Sequence, residues 1–277
     1  MSVQPLSLTI RGARGSAPTP GAQMARYGGH TTCLEMAFSP RHRLLIDCGS
    51  GLRTLHADLP ADPGPEGFRF DVFLTHFHSD HLEGLRLFRP LYDSASEFVF
   101  HGYSCPQGGV RESVEGSMAL PWFPVALHET ASKKVFVELG NEPLEIEGVR
   151  ISSSVVGHPQ GAVGYRLERG ERSIVFVTDS EPGDPAINRS VEQLARGADV
   201  LIHDAQYTPE EYDRYRGWGH SSWRHAVRLA QTAGAGRLIL FHHDPDRTDD
   251  ELDGIVEEVR REFPQAEAAR EGMSFAI

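Results

Sequence analysis

Residues 75 to 84 read THFHSDHLEG and put His76, His78, Asp80 and His81 within six positions, directly after the apolar run FDVFL. Imidazole nitrogens and carboxylate oxygens are ligands for divalent cations such as zinc. Positions i and i+2 of an extended segment share a side, so His76 and His78 can reach one cation. Asp80 and His81 begin the turn into a helix and can reach a second. The alternative reading, ordinary loop histidines, gathers imidazoles with nothing to hold them together, which is costly.

Further candidates stand where later strands end. His158 closes VRISSSVVGHP, Asp179 closes SIVFVTD and His242 closes RLILFH. A single histidine at a strand end is usually structural or exposed. Here the three residues and the cluster all arrive where a sheet ends. Seven nitrogen and oxygen ligands with no cysteine among them suit two divalent ions, zinc first, with manganese or iron able to take the same geometry.

The elements that must carry these residues are mostly strands. SLTIRG, TTCLEMAF, RLLIDCG, FRFDVFL, EFVFHGY, KVFVEL and VRISSSVV read as β, with a short helix expected from Leu82 to Phe88 that stops near Pro90. AVGYRLERGERSIVFVTD is a hairpin pattern turning at Arg169 and Gly170, and ADVLIHDA and GRLILFHHD are short β runs. Helical periodicity marks AINRSVEQLARG, SSWRHAVRLAQTAG and TDDELDGIVEEVRREF, the second opening on a serine cap and ending at Gly234. Strands first and then strands alternating with helices predict an αββα sandwich of two mixed β-sheets flanked by helices, formed by residues 1–277 as one domain.

Composition narrows the function classes. The chain has 277 residues, 39% of them hydrophobic, and no apolar run approaches a membrane span. A net charge of −12 disfavours long-range attraction to a polyanion. No secretory signal is read at the N-terminus, and Cys33, Cys48 and Cys105 lack paired CxxC spacing. These features predict a cytoplasmic protein with reduced thiols.

The HxHxDH motif, the later histidine in GHPQG, the aspartate in VTDS and the histidine in LILFHHDP together resemble the metallo-β-lactamase superfamily. The resemblance extends over nearly the whole chain. It implies that His76, His78 and His158 hold one metal, that Asp80, His81 and His242 hold the other, and that Asp179 bridges them. Class B β-lactamases differ in being exported and in using a cysteine ligand. Flavodiiron proteins typically place a glutamate where His78 stands, and glyoxalase II enzymes append a helical domain for which the 35 residues after His242 leave no room.

VLIHDAQYTPEEY followed by GHSSWRHAVRLAQTAGAGRLILFHHD is similar to the late motifs of the tRNA 3′-processing endonucleases. The His-Glu-Ala and His-Ser-Thr elements of that family map onto His203, Asp204 and Ala205 and onto His220, Ser221 and Ser222, with Asp204 replacing glutamate and Ser222 replacing threonine. Those enzymes also carry a long exosite arm, whereas Asp179 follows His158 by only 21 positions here. The stretches RGARGSAPTPGAQMARYGGHTTCLE, LPWFPV and HPQGAVGYRLE look like armless relatives, the phosphoribosyl cyclic phosphodiesterases and the anti-Pycsar-type cyclic-nucleotide phosphodiesterases. What this resemblance implies is hydrolysis of a small cyclic phosphodiester, foremost a nucleoside 3′,5′-cyclic monophosphate, by a homodimer with no membrane partner and no large nucleic-acid substrate. The alternatives are a tRNA endonuclease, a phosphoribosyl cyclic phosphodiesterase, and a protein that keeps the fold but not the turnover.

In this reading Asp80, His220 and Asp204 are the catalytic residues. Two cations would neutralise the phosphate and activate water. His220, oriented by Asp204, would bond a phosphoryl oxygen or protonate the departing alkoxide, or else merely open its helix. His220, His30 and Trp122 are the expected substrate contacts, although His30 stands where an asparagine is usual in the armless relatives. Phe123, Tyr207 and Trp218 either stack on a base or pack. His203 either steadies a ligand or does not, Asp47 either accepts a bond beneath the metals or ends its strand, and His243 should point away from its neighbour.

Overall fold

The computed structural model describes residues 6–104 and 108–277, and Cys105 lies outside them. Among the described residues there are two sheets of seven strands. Along the first lie β1 (Ser7–Gly12), β2 (Cys33–Ala37), β3 (His42–Ile46), β4 (Arg69–Phe73), β5 (Glu97–Gly102) and β6 (Lys133–Glu138), in that order. The second follows as β7 (Leu144–Ile146), β8 (Val149–Val156), β9 (Ala162–Arg169), β10 (Arg172–Val177), β11 (Val200–Asp204), β12 (Arg237–Phe241) and β13 (Ala266–Ala268). The chain then returns to the first sheet, where β14 (Ser274–Ala276) pairs antiparallel with β1.

Parallel strands buried on both faces read as continuous apolar runs, as Leu238 to Phe241 of β12 does and as β11 does until His203 and Asp204 at its end. In β12, Ile239 and Phe241 face the other sheet while Leu238 and Leu240 face the helices. The rings of Phe176 and Phe241 meet edge to face at 5.1 Å between centroids, inside the layer that also holds Leu34, Ile46 and Tyr165. Outside the second sheet pack α2 (Pro185–Ala195), α4 (Trp223–Ala233) and α5 (Asp249–Glu262). The first sheet is covered by α1 (Val110–Ser117) and by 3-10 turns. A single turn, α3 (Pro209–Tyr212), follows β11.

The helix caps follow the sequence. Gly234 ends α4 in the left-handed region at φ 68°, and Thr248 accepts from the Glu251 amide to start α5, whose first turn is acidic and last turn basic. The helix expected from Leu82 to Phe88 is instead a series of 3-10 turns at Ser79–His81, Glu83–Leu87 and Arg89–Tyr92. Gly84 explains part of this. A Cβ there would meet the Gly49 carbonyl oxygen at 2.1 Å, so the turn is drawn against the backbone after β3 and has no room for a regular helix. Among the described residues no helix is long and apolar enough to cross a membrane. Cys33 and Cys48 are free and buried, and burial pushes both thiols up and away from reactivity.

Candidate metal centre

The segment after β4 is tied to both sheets before any ligand is considered. The Asp47 amide bonds the Phe73 carbonyl, and the Cys48 amide bonds the His81 carbonyl at 2.7 Å. From the second sheet, the Val163 amide reaches the Thr75 carbonyl at 3.0 Å and the Tyr165 hydroxyl reaches the Leu74 carbonyl. The loop is therefore held open in an extended form, which lets its histidines project together.

All seven expected ligand residues meet where these strands end. Candidate atoms of His76, His78 and His158 lie within 4.8 Å of one another, as do those of Asp80, His81 and His242. Asp179 sits between the trios. Its Oδ1 is 3.7 Å from His76 Nε2, and its Oδ2 is 3.3 Å from His81 Nε2 and 3.4 Å from His242 Nε2. Each trio draws on both sheets, since His158 follows β8 and His242 follows β12, whereas the other four follow β4.

Backbone conformation aims several of these side chains. Asp47, Asp179 and His242 have φ of 58°, 49° and 58°, a region that non-glycine residues seldom enter and that asparagine, aspartate and histidine enter most readily. Extending the alternation of β12 would send His242 to the helix side with Leu238 and Leu240. The left-handed residue breaks that alternation and turns the ring into the cluster, at a cost of about 1–3 kcal/mol that the surrounding bonds must offset.

The imidazoles are anchored on their outer nitrogens. His81 Nδ1 donates to Asp47 at 2.8 Å, His242 Nδ1 donates to Gln206 Oε1 at 2.9 Å, and His158 Nδ1 donates to the Gly219 carbonyl at 3.1 Å. His76 Nδ1 lies 3.1 Å from the Thr75 hydroxyl, and His78 Nε2 bonds Gln160. On the inner side, the buried Nε2 atoms of His76, His81 and His242 have no hydrogen-bond partner among the described residues. Buried polar atoms are ordinarily satisfied, so three orphans facing two carboxylates fit divalent cations. Burial works against ionisation of Asp80 and Asp179, yet positive charge on His81 and His242 beside them holds both carboxyls well below the usual range, a charge that bound cations would supply in place of the imidazoles. Both therefore remain charged and able to ligate.

His220 lies against this cluster, its ring stacked on His242 at 4.8 Å. Its Nδ1 donates to Asp204 Oδ2 at 2.9 Å, and Asp204 Oδ1 accepts from the Ser221 amide at 3.0 Å, which fixes the carboxylate and through it the ring. Burial lowers the affinity of His220 for a proton, but Asp204, helped by Asp179 and Asp80, raises the group to about 9. Bound cations would act in the opposite sense.

The remaining residues fall elsewhere. Asp47 accepts from His81 and from the Thr75 amide and hydroxyl, so it braces a ligand as well as ending its strand. His203 is on the opposite side of β11 from Asp204, where it bonds the Asp204 carbonyl and lines a cleft with His225 and Arg228; among the described residues it makes no hydrogen bond to a candidate ligand. His243 points away and bonds the Ala269 carbonyl. His30 pairs with Ser50 at 3.2 Å. Trp122 is 78% exposed and Trp218 is 63% exposed, while Tyr207 is buried.

Sequence reasoning passed over Gln206, Gln160, Thr75 and Ser16, whose amide donates to Asp80 Oδ2 at 2.9 Å. For Gln206 one signal existed, its place two residues after Asp204 and hence on the same side of an extended chain. Thr75 adjoins His76 within the motif itself, whereas Gln160 and Ser16 depend on chain crossings that no local pattern encodes.

Residues 42–243 match the family described as the beta-lactamase superfamily domain, and the chain belongs to that superfamily. Among curated proteins it is similar to the ribonuclease BN of Erwinia tasmaniensis, at 26% identity over 82% of this chain and 87% of that one. Among solved structures it is similar to the metallo-beta-lactamase fold protein YhfI from Bacillus subtilis, with a TM-score of 0.74, 21% identity and 99% of each chain covered. It is also similar to a diphosphatase from the PhnP family, with a TM-score of 0.70, 18% identity and 98% of each chain covered.

Proposed function

We infer that the protein is a metal-dependent phosphodiesterase that hydrolyses small cyclic phosphodiesters, nucleoside 3′,5′-cyclic monophosphates foremost, with two zinc ions as its cofactors. The observation that carries this reading is the convergence of three orphaned Nε2 atoms, from His76, His81 and His242, on the ionised carboxylates of Asp80 and Asp179. His76, His78 and His158 would hold one cation, and Asp80, His81 and His242 the other, with Asp179 shared. When bound, the pair supplies neutralisation of the phosphate and acidification of water.

The chain's own groups do the rest. Asp47, Gln206 and the Gly219 carbonyl keep His81, His242 and His158 in the tautomer whose Nε2 faces inward. Asp204 fixes His220 so that a proton at its Nε2 can pass to the departing alkoxide. The hairpin of β9 and β10 fills the interval between His158 and Asp179, which supports a small substrate over one gripped by an arm.

The likeness to ribonuclease BN favours a second reading, cleavage of a tRNA precursor. The net charge of −12 weighs against it. Incubating the metal-loaded protein with cyclic mononucleotides, cyclic dinucleotides, phosphoribosyl cyclic phosphate and precursor tRNA in parallel decides between them. Turnover of a cyclic mononucleotide is the expected result, and cleavage of the tRNA alone would overturn it.

A further inference from the structure

Resting on that reading, we propose that the cavity beside His76 and His78 is the subsite for the nucleobase of the substrate, with Arg86 as its specificity residue. The cavity has a volume of about 400 Å³ and runs from the two histidines to α1. That size falls within the roughly 300–1,000 Å³ usual for small-molecule sites. Phe77 and Leu82 give it apolar walls, and Arg86, Glu83 and Ser113 give it polar ones.

Glu83 and Arg86 share a 3-10 turn, in which positions i and i+3 lie on one side. Both are pinned. Arg86 Nε and Nη2 donate to the Ser117 carbonyl at 3.2 and 3.0 Å, which leaves Nη1 without a hydrogen-bond partner among the described residues. Glu83 Oε1 accepts from the Thr31 hydroxyl at 3.0 Å. A fixed donor and a fixed acceptor beside apolar walls complement a flat ring whose edge carries acceptors and donors, which is the chemistry of a nucleobase. A simple sugar phosphate offers no such face.

Gly116 gives an independent handle on the same space. It lines the cavity from α1, and a Cβ added there meets nothing within 4 Å. Gly116→Trp should therefore enter the cavity without disturbing the core.

The test uses the full-length, metal-loaded protein with two substrate types, methyl 4-nitrophenyl phosphate and the four common nucleoside 3′,5′-cyclic monophosphates. The quantity read is kcat/KM for each nucleotide divided by that for the aryl ester. Gly116→Trp should lower this ratio about tenfold or more, and Arg86→Met about tenfold, through KM and unequally across the bases, as expected for losing a hydrogen bond to a charged group. A ratio unchanged in both variants, or equal losses on both substrate types, overturns the subsite. Wild-type cleavage of the ester but of no nucleotide also overturns it while sparing the phosphodiesterase reading. Wild-type cleavage of neither overturns both.

Discussion

Gln206 Oε1 lies 2.9 Å from His242 Nδ1, while Nε2 on the other side of the same ring faces Asp80 at 3.5 Å and Asp179 at 3.4 Å. The amide oxygen can only accept, so His242 carries its proton on Nδ1 and directs a lone pair inward. A Cβ on Gly15 would approach His242 Nδ1 to 2.4 Å, so the N-terminal loop closes over the same contact. Replacing Gln206 by leucine keeps the bulk and removes the acceptor. We expect metal affinity at the site holding His242 to fall about 10–100-fold, measured by competition with a chromophoric chelator, with the far-ultraviolet circular dichroism unchanged. Unaltered affinity would remove Gln206 from the account.

His78→Ala and Asp179→Ala should each abolish phosphodiester cleavage and lower the bound-metal stoichiometry while leaving the fold largely intact. A chromogenic bis-aryl phosphodiester and elemental analysis of the same samples read both effects. Wild-type turnover in both variants would refute the assignment of the centre.

The role of His220 can be separated by leaving group. If His220 donates a proton to the departing oxygen, His220→Asn should slow an alkyl phosphodiester by about 10²–10⁴-fold, the usual contribution of general acid catalysis. A nitrophenolate departs without help, so the aryl ester should lose far less. Asp204→Asn, which removes the carboxylate that fixes the ring, should follow the same pattern in weaker form. Equal losses on the two substrates would move His220 from the leaving group to another task.

A carboxylate remote from the centre sets one pH dependence of stability. Asp71 is buried and lies 2.8 Å from His42 Nε2 and 3.2 Å from His101 Nε2. Burial opposes its charge, but His101, His42 and Arg69 outweigh burial and hold it well below the ordinary 3.8. Its contribution is therefore complete above that value and is lost as pH falls below it. Asp71→Asn should lower Tm at neutral pH by an amount corresponding to on the order of 1–3 kcal/mol. In thermal melts the gap to the parent should narrow below about pH 4. A gap that widens on acidification would contradict the sign.

Much of this is legible in the amino-acid sequence. The long β runs, the hairpin at Arg169 and Gly170, and the capped helices at Trp223–Ala233 and Asp249–Glu262 all announce themselves through alternation or capping. The helix Val110–Ser117 does not, because its serines and Gly116 dilute the periodic signal and packing on the first sheet supplies what propensity lacks. The three-residue strands Ala266–Ala268 and Ser274–Ala276 owe their state to partners far away in the chain. In the site, His76 to His81 is a local motif and could be read. The braces Gln206, Gln160 and Ser16 owe their roles to contacts 36, 82 and 64 residues distant. His203 is the instructive case, since the alternation of Val200, Ile202 and Asp204 already placed it on the other face.

Neither of the two metal-holding trios comes from one sheet alone, because His158 and His242 come from one and their partners from the loop after the other. Cation affinity thus becomes a gauge of how well the two layers dock. A change deep between them, at Tyr165 or Phe241, would loosen ion binding while each layer still kept its own ladder of backbone bonds.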